Sequence, residues 1–201
     1  MEQNNFCNSK TKENLMKAFA GESQARNRYT IAKKQFENAK EFAIADLMKF
    51  TANQEKIHAE IFYNHLSSEG GTTIEINGGY PVDISDKLPE LLKMAAHNEG
   101  QESDDVYPAF AKTAREEGFG EIARDFENIA KIEGSHKKRF ERFHTLMENG
   151  ELYKSQQATK WVCLNCGYIF EGTQVPENCP VCKGEQGYFI RLEMADWGVE
   201  K

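Results

Sequence analysis

A chain of 201 residues suits one ordinary domain plus a small module, and 39% hydrophobic with 11% aromatic content argues against wholesale disorder. A formal net charge of −7, with no basic run longer than Lys137-Lys138-Arg139, argues against nucleic acid as the main partner, because phosphate binding needs clustered Lys and Arg. Met1-Glu2-Gln3-Asn4-Asn5 lacks the basic and apolar regions of a signal peptide, and no apolar run approaches the roughly 20 residues of a membrane span. The expected compartment is therefore the cytoplasm, where the five cysteines stay reduced.

Residues 11–37 carry Leu15, Ala18, Phe19, Ala25, Tyr29 and Ala32 at spacings of three and four, a helical stripe. A second helix is predicted from about Glu41 to Leu66, ended by Ser67-Ser68-Glu69-Gly70-Gly71. Residues 70–86 form a connection longer than helix bundles usually need. One long crossover is the feature of ferritin-like bundles. A third helix is predicted from a Ser85 N-cap to Glu117, kinked by Pro108 and broken at Gly118 and Gly120. The fourth runs from about Glu121 to Met147. The expected division is an all-α four-helix bundle over 1–150, a polar linker at 151–160, and a small β-rich four-cysteine module over 161–201.

The second helix contains Glu55-Lys56-Ile57-His58 and the fourth Glu133-Gly134-Ser135-His136. Acid and imidazole three residues apart share one helical face. The first helix offers Glu22, and the third offers Glu99 and Glu102. A Glu from each of two helices plus Glu-x-x-His from each of the other two is the pattern of a di-iron or di-manganese carboxylate site. The acids offset the charge of two cations, and the imidazoles fix geometry. Glu22, Glu55, Glu99 and Glu133 fall near the middle of their helices, so antiparallel packing brings them to one level. A further Glu-x-x-His, Glu141 to His144, lies near a helix end and reads as surface. His65 and His97 read as surface or packing residues.

Cys163-Leu164-Asn165-Cys166 and Cys179-Pro180-Val181-Cys182 are two knuckles separated by 12 residues. Four thiolates in tetrahedral array suit iron or zinc, and spacing does not separate the two. An electron carrier tethered to a di-iron site supplies a reductant, whereas a zinc ribbon supplies only fold stability. Trp161, Tyr168, Phe170, Tyr188 and Phe189 are the expected core of this module, and Cys7 is a plain thiol with no assigned role.

Together these stretches resemble the rubrerythrin family over nearly the whole chain. The matching segments include Phe19-Ala20-Gly21-Glu22-Ser23-Gln24-Ala25-Arg26, Glu55-Lys56-Ile57-His58, Glu102 followed by Tyr107-Pro108, and Trp161-Val162-Cys163-Leu164-Asn165-Cys166-Gly167-Tyr168. His97-Asn98 departs from the family, which more often has small residues before this Glu. The resemblance implies a ferritin-like di-iron bundle followed by a rubredoxin-like iron domain. It also implies an NAD(P)H-linked peroxidase that reduces hydrogen peroxide to water, defending anaerobic or microaerophilic cells. By the same resemblance Glu55 and Glu133 bridge the irons, Glu22 holds the first, and Glu99 with His136 holds the second. Glu102 and His58 exchange at the first iron when the site is reduced, and Tyr29 and Tyr107 hydrogen-bond near the site. No glycine-rich nucleotide fingerprint is present, so the electron donor is a separate NAD(P)H-dependent reductase or rubredoxin. The family resemblance also implies a homodimer or larger assembly. The competing expectation is a ferritin-like iron-binding or iron-oxidising protein with a structural zinc ribbon.

Overall fold

The computed structural model describes residues 6–195. Helix α1 spans Lys10–Asn38, opened by Ser9, whose side chain accepts the Lys12 N–H. Helix α2 spans Phe42–Asn64. After the crossover, α3 spans Leu88–Gln101, a π-helical segment spans Glu102–Val106, and α4 spans Tyr107–Glu116. These three pieces form the third long rod of the bundle, and α5, Gly120–Glu148, is the fourth. Helix α1 packs along α2, and α3 and α4 pack along α5.

The third rod differs from its predicted form at both critical points. It begins at Leu88, with Lys87 as the cap, and the Ser85 hydroxyl instead accepts the Lys87 N–H at 3.0 Å. Pro89 explains the delay. A helix starting at Ser85 would need an N–H from residue 89, and proline has none; in the first turn that N–H is not required. Pro108 follows the same logic. It falls in the first turn of α4, where the regular backbone bonding is already interrupted by the π segment.

The bundle core comes in two blocks. One contains Tyr29, Phe36, Met48, Leu92 and Phe140; the other contains Leu15, Phe62, Tyr107, Ala123 and Phe126. The acids and histidines of the predicted site occupy the band between them. On α1, for example, Glu22 lies between Ala18 and Ala25, and all three are buried.

Strands β1 (Lys154–Cys163), β2 (Ile169–Gln174) and β3 (Phe189–Arg191) form an antiparallel sheet in the order β2-β1-β3. The stretch 151–160 is therefore not a free linker, since β1 begins at Lys154 and pairs with Gln174 across an irregular register. Alternation along β1 serves two cores. Trp161 and Cys163 face the module's own core, with Val175, Cys179 and Phe189, whereas Val162 joins Ile190 in the nearer bundle block. Tyr188, expected within the module core, also stacks on Phe42 at 4.2 Å between ring centres. At the same junction Lys40 pairs with Glu185 at 2.6 Å. Gly187 approaches so closely that a Cβ there would stand 1.7 Å from the Lys40 carbonyl oxygen. The module is docked on the end of its own bundle.

Candidate metal centres

The predicted bundle side chains converge. Glu22, Glu55, His58 and Glu133 form one group of potential donors, and Glu55, Glu99, Glu133 and His136 form another; within each group the donor atoms lie within 4.8 Å of one another. Glu55 and Glu133 belong to both. His58 Nδ1 is 2.8 Å from Glu133 Oε1, 3.0 Å from Glu55 Oε2 and 3.8 Å from Glu22 Oε2. His136 Nδ1 is 2.7 Å from Glu133 Oε2, 3.1 Å from Glu55 Oε1 and 3.5 Å from Glu99 Oε2. The two halves mirror one another, with α2 and α5 each supplying a Glu-x-x-His and α1 and α3 each supplying one Glu.

The tyrosines complete the mirror. Tyr29 on α1 donates to Glu99 on α3, and Tyr107 on α4 donates to Glu22 on α1 at 2.5 Å. Glu22 and Tyr29 are seven residues apart, two helical turns, but Glu99 and Tyr107 are eight apart. Eight residues in a regular helix would swing Tyr107 about 80° off the face. The wide π turn takes up the extra residue and returns Tyr107 to the site.

Electrostatics show what this cage suits. Burial, then the charges of neighbouring carboxylates, hold Glu22 and Glu99 well above the usual carboxylate range. Burial opposes the charged form of His136, but contacts to Glu133, Glu55 and Glu99 override it and push the ring up to about 12. His58 is raised in the same way, against burial, by Glu133, Glu22 and Glu55. Burial alone would raise Glu133, but the two imidazoles bring it down to about 2. Even so, Glu22 Oε2, Glu55 Oε1, Glu99 Oε2, both Glu133 oxygens and His136 Nδ1 are buried without a hydrogen bond. Such atoms are costly unless something satisfies them. They crowd together at poor angles for hydrogen bonding, and cations between them would satisfy them all. The donor set fits two metal ions.

Glu102 lies outside both groups. It sits on the π segment with its carboxylate against Gly21, where a Cβ would be 3.8 Å away. Burial first, then Glu22, Glu133 and Glu55, raise it well above the usual range, so it feels the cage from beside it. A cavity of about 180 Å³ adjoins it, lined by Gly21, Tyr80, Asn98 and Tyr107 among others. The crossover is tied down there. Asn98 Nδ2 donates to Asp83 Oδ2 at 2.7 Å, and Arg28 Nε lies 3.1 Å from the same oxygen. Of the unusual His97-Asn98 pair, Asn98 is thus buried and bonded, while His97 is exposed. The decoy pair stays apart from the cage, with Glu141 exposed and His144 half-buried. His65 pairs with Asp125 at 2.7 Å.

Sequence reasoning missed Gln54, whose Oε1 lies 3.0 Å from His136 Nε2. Its position directly before Glu55 was the available signal. It also missed Tyr80 and the Asp83–Asn98 tie, which no local motif announces.

In the module, Cys163, Cys166, Cys179 and Cys182 form a third group of four donors. Cys163 Sγ and Cys182 Sγ are 3.8 Å apart, and Cys166 Sγ and Cys179 Sγ 3.7 Å. A tetrahedron with metal–sulfur bonds of about 2.3 Å has edges of about 3.8 Å. The sulfurs are therefore spaced for a single ion. Each knuckle turns through a left-handed residue four positions after its first cysteine, Gly167 at φ 78° and Lys183 at φ 63°. A backbone hydrogen bond from Gly184, helped by Asn165, whose amide lies 3.3 Å from the sulfur, brings the Cys182 thiol down to about 6 despite partial desolvation. Burial pushes Cys163 up to about 12.

Comparison with known proteins agrees with this layout. The rubrerythrin profile matches residues 13–144 and 90–161, and the rubrerythrin rubredoxin-like domain profile matches 161–190. A rubrerythrin from Clostridium perfringens is 42% identical over 182 residues, covering 90% of this chain and 93% of the relative. One from Porphyromonas gingivalis is 44% identical over 186 residues, covering 90% and 89%. Among solved structures, nigerythrin in its fully reduced, all-ferrous state aligns with TM-score 0.61 and 28% identity, covering 92% of this chain and 90% of that one. A bacterioferritin from Desulfovibrio desulfuricans, described with its di-iron site in different catalytic states, aligns with TM-score 0.65 and 26% identity, covering 75% and 86%. A ferritin-like bundle carrying a di-metal donor set, followed by a rubredoxin-like four-cysteine module, places this chain in the rubrerythrin family.

Proposed function

We propose that the chain is a non-haem di-iron peroxidase that reduces hydrogen peroxide to water for defence against oxidative stress. The carrying observation is the pair of donor groups sharing Glu55 and Glu133, in one chain with a four-sulfur site of single-ion dimensions. When bound, two irons in the bundle supply the electron pair that breaks the O–O bond, and iron at the cysteines restores them one electron at a time. Hydrogen peroxide takes up two electrons and two protons and leaves as two waters.

The residues divide this work. Glu55 and Glu133, shared by both donor groups, would hold both metal positions. Glu22 and His58 complete the first, and Glu99 and His136 the second. Tyr29 and Tyr107 hold Glu99 and Glu22 by their free oxygens, so that each carboxylate presents a defined face. Glu102 is the alternative donor to the first position. A carboxylate is the better partner when the metal charge is high, and a neutral imidazole when reduction has lowered it. His58 inside the donor group and Glu102 beside it supply the two alternatives that such an exchange needs.

Electrons reach the cysteine site from a separate NAD(P)H-dependent reductase or rubredoxin. At about 1.5 Å per residue, Glu55 lies roughly 20 Å along α2 from Phe42, where the module docks. That separation supports an assembly of at least two copies in which the module of one serves the bundle of another. Among the described residues no helix is long and apolar enough to cross a membrane. A cytoplasmic setting suits a site that needs reduced thiols.

The test is to reduce the iron-loaded protein with dithionite, bleaching the red cysteine iron, and add peroxide without oxygen. Rapid return of colour with stoichiometric loss of peroxide is expected. Sluggish reaction with peroxide, fast reaction with dioxygen and a colourless zinc-filled module would favour an iron-oxidising, ferritin-like protein instead.

A further inference from the structure

The two histidines of the cage are not held alike. His136 is engaged on both sides of its ring, with Nδ1 facing the carboxylates, 2.7 Å from Glu133 Oε2, and Nε2 within hydrogen-bond distance of Gln54 Oε1 at 3.0 Å. His58 also turns Nδ1 to the carboxylates, but its Nε2 has no hydrogen-bond partner among the described residues. Gln54 is itself held. Arg139 Nη1 approaches the same amide oxygen at 3.4 Å, and the Arg139 guanidinium lies over the Phe50 ring, 5.3 Å from its centre. The spacing is regular. Phe50 and Gln54 are four apart on α2, and His136 and Arg139 three apart on α5, so the four side chains meet across one seam.

Donor chemistry fixes the direction of these bonds. Arginine can only donate, so the amide atom it approaches is the oxygen. Oxygen can only accept, so His136 Nε2 carries hydrogen, and in a metal-bound ring the free lone pair is on Nδ1, which faces the cage. We propose that Gln54, steadied by Arg139, is a positioning residue that locks His136 as the permanent ligand of the second metal position. The absence of any such lock leaves His58 as the histidine that can move. This rests on the di-metal reading above and deepens it, because it says why only one of two mirrored positions exchanges its ligand.

The test uses zinc, which does not change oxidation state, on the full chain with the cysteine site already zinc-filled. Two further zinc ions should enter the bundle. In ring-15N-histidine-labelled protein, one Nε2–H protected from exchange should be seen. In Gln54→Leu that signal should disappear, and one of the two bundle zinc ions should bind about 10–100-fold more weakly, the usual effect of removing a ligand's supporting hydrogen bond. The other ion, identified as the one weakened by His58→Ala, should be unaffected. Gln54→Glu restores an acceptor and should restore both signals, and Arg139→Gln should shift them partway. Helical circular dichroism of each variant monitors the fold. A protected N–H and unchanged zinc binding in Gln54→Leu would overturn the lock, as would Gln54→Leu and His58→Ala weakening the same ion. Failure of the unaltered bundle to take up two zinc ions would instead remove the di-metal reading itself.

Discussion

In the cysteine module, four candidate ligands come from two turns only 12 residues apart, and two sulfur pairs across the knuckles stand at 3.7 and 3.8 Å. In the bundle, ligands from Glu22 to His136 come from separate helices, and their positions are set by the two apolar blocks on either side. The first design is local and has a small core, so the ion itself is a large part of what holds it. The second is a frame built by packing, which brings the charged side chains together between two apolar blocks. Under the proposed function one region would carry electrons and the other would do chemistry, so disabling each should fail in a different way.

The largest effect should come from breaking the relay. Cys163→Ser should abolish NADH-driven turnover in the presence of a competent reductase, yet leave one stoichiometric oxidation of the chemically reduced bundle by peroxide. Steady-state NADH consumption and stopped-flow absorbance measure the two parts. Turnover equal to the unaltered chain would sink the relay and leave the module a structural ribbon.

The frame has its own signature when the bundle is stripped of metal but the module keeps its ion. Glu22, Glu99 and Glu102 are raised in the folded state, chiefly by burial, so above the ordinary carboxylate range the folded chain holds protons that the unfolded chain has lost. His136, at about 12 when folded, acts in the same direction above pH 6.5. Both make stability fall as pH rises, by about 1.4 kcal/mol per pH unit for each proton of difference. Glu133, lowered to about 2, is ionised in both states from pH 5 to 9 and leaves that slope unchanged. The melting temperature of the stripped bundle should therefore drop from pH 5 to pH 9, and metal in the bundle should flatten the curve. A stripped bundle that gains stability over this range would contradict the buried-carboxylate account.

Within the bundle, the contrast between a fixed and a movable ligand can be sharpened. His58→Ala should mainly slow the reaction of the reduced protein with peroxide. Glu102→Ala should mainly raise the reduction potential and alter the absorption of the oxidised protein. Structures in both oxidation states decide it: identical ligands at the first position in each would end the exchange.

Legibility follows the same local-versus-packed divide. The two knuckles and both Glu-x-x-His pairs were readable because their spacing is itself the geometry. The π segment was hidden, although the clue lay in the spacing of seven between Glu22 and Tyr29 against eight between Glu99 and Tyr107. A reading that assumes uniform 3.6-residue turns has no place for an extra residue. Residues 154–160 looked like a linker because most of them face solvent, so the strand shows no apolar alternation until Trp161. Gln54 carried only a weak signal, its place before Glu55: polar residues beside helical motifs are common, and packing against α5 reveals which one reaches His136.

The smallest expected effect tests the crossover, the least regular part of the frame. Asn98 donates to Asp83 at 2.7 Å, and Arg28 Nε forms an ion pair with the same carboxylate at 3.1 Å. Asn98→Ala removes one of those two partners but leaves the carboxylate paired, so the loss should be that of a single charged hydrogen bond, about 1.5–3 kcal/mol at most. Because Asn98 and Tyr80 line the same small cavity as Glu102, the loosened segment should be the one over that cavity. Amide exchange should accelerate at residues 78–84 and stay unchanged in α1 and α5. Arg28→Ala removes the cation paired with Asp83 and should cost more than Asn98→Ala. If exchange instead rises throughout the bundle, the Asp83 tie secures the frame as a whole, and the cavity beside Glu102 has no cover of its own.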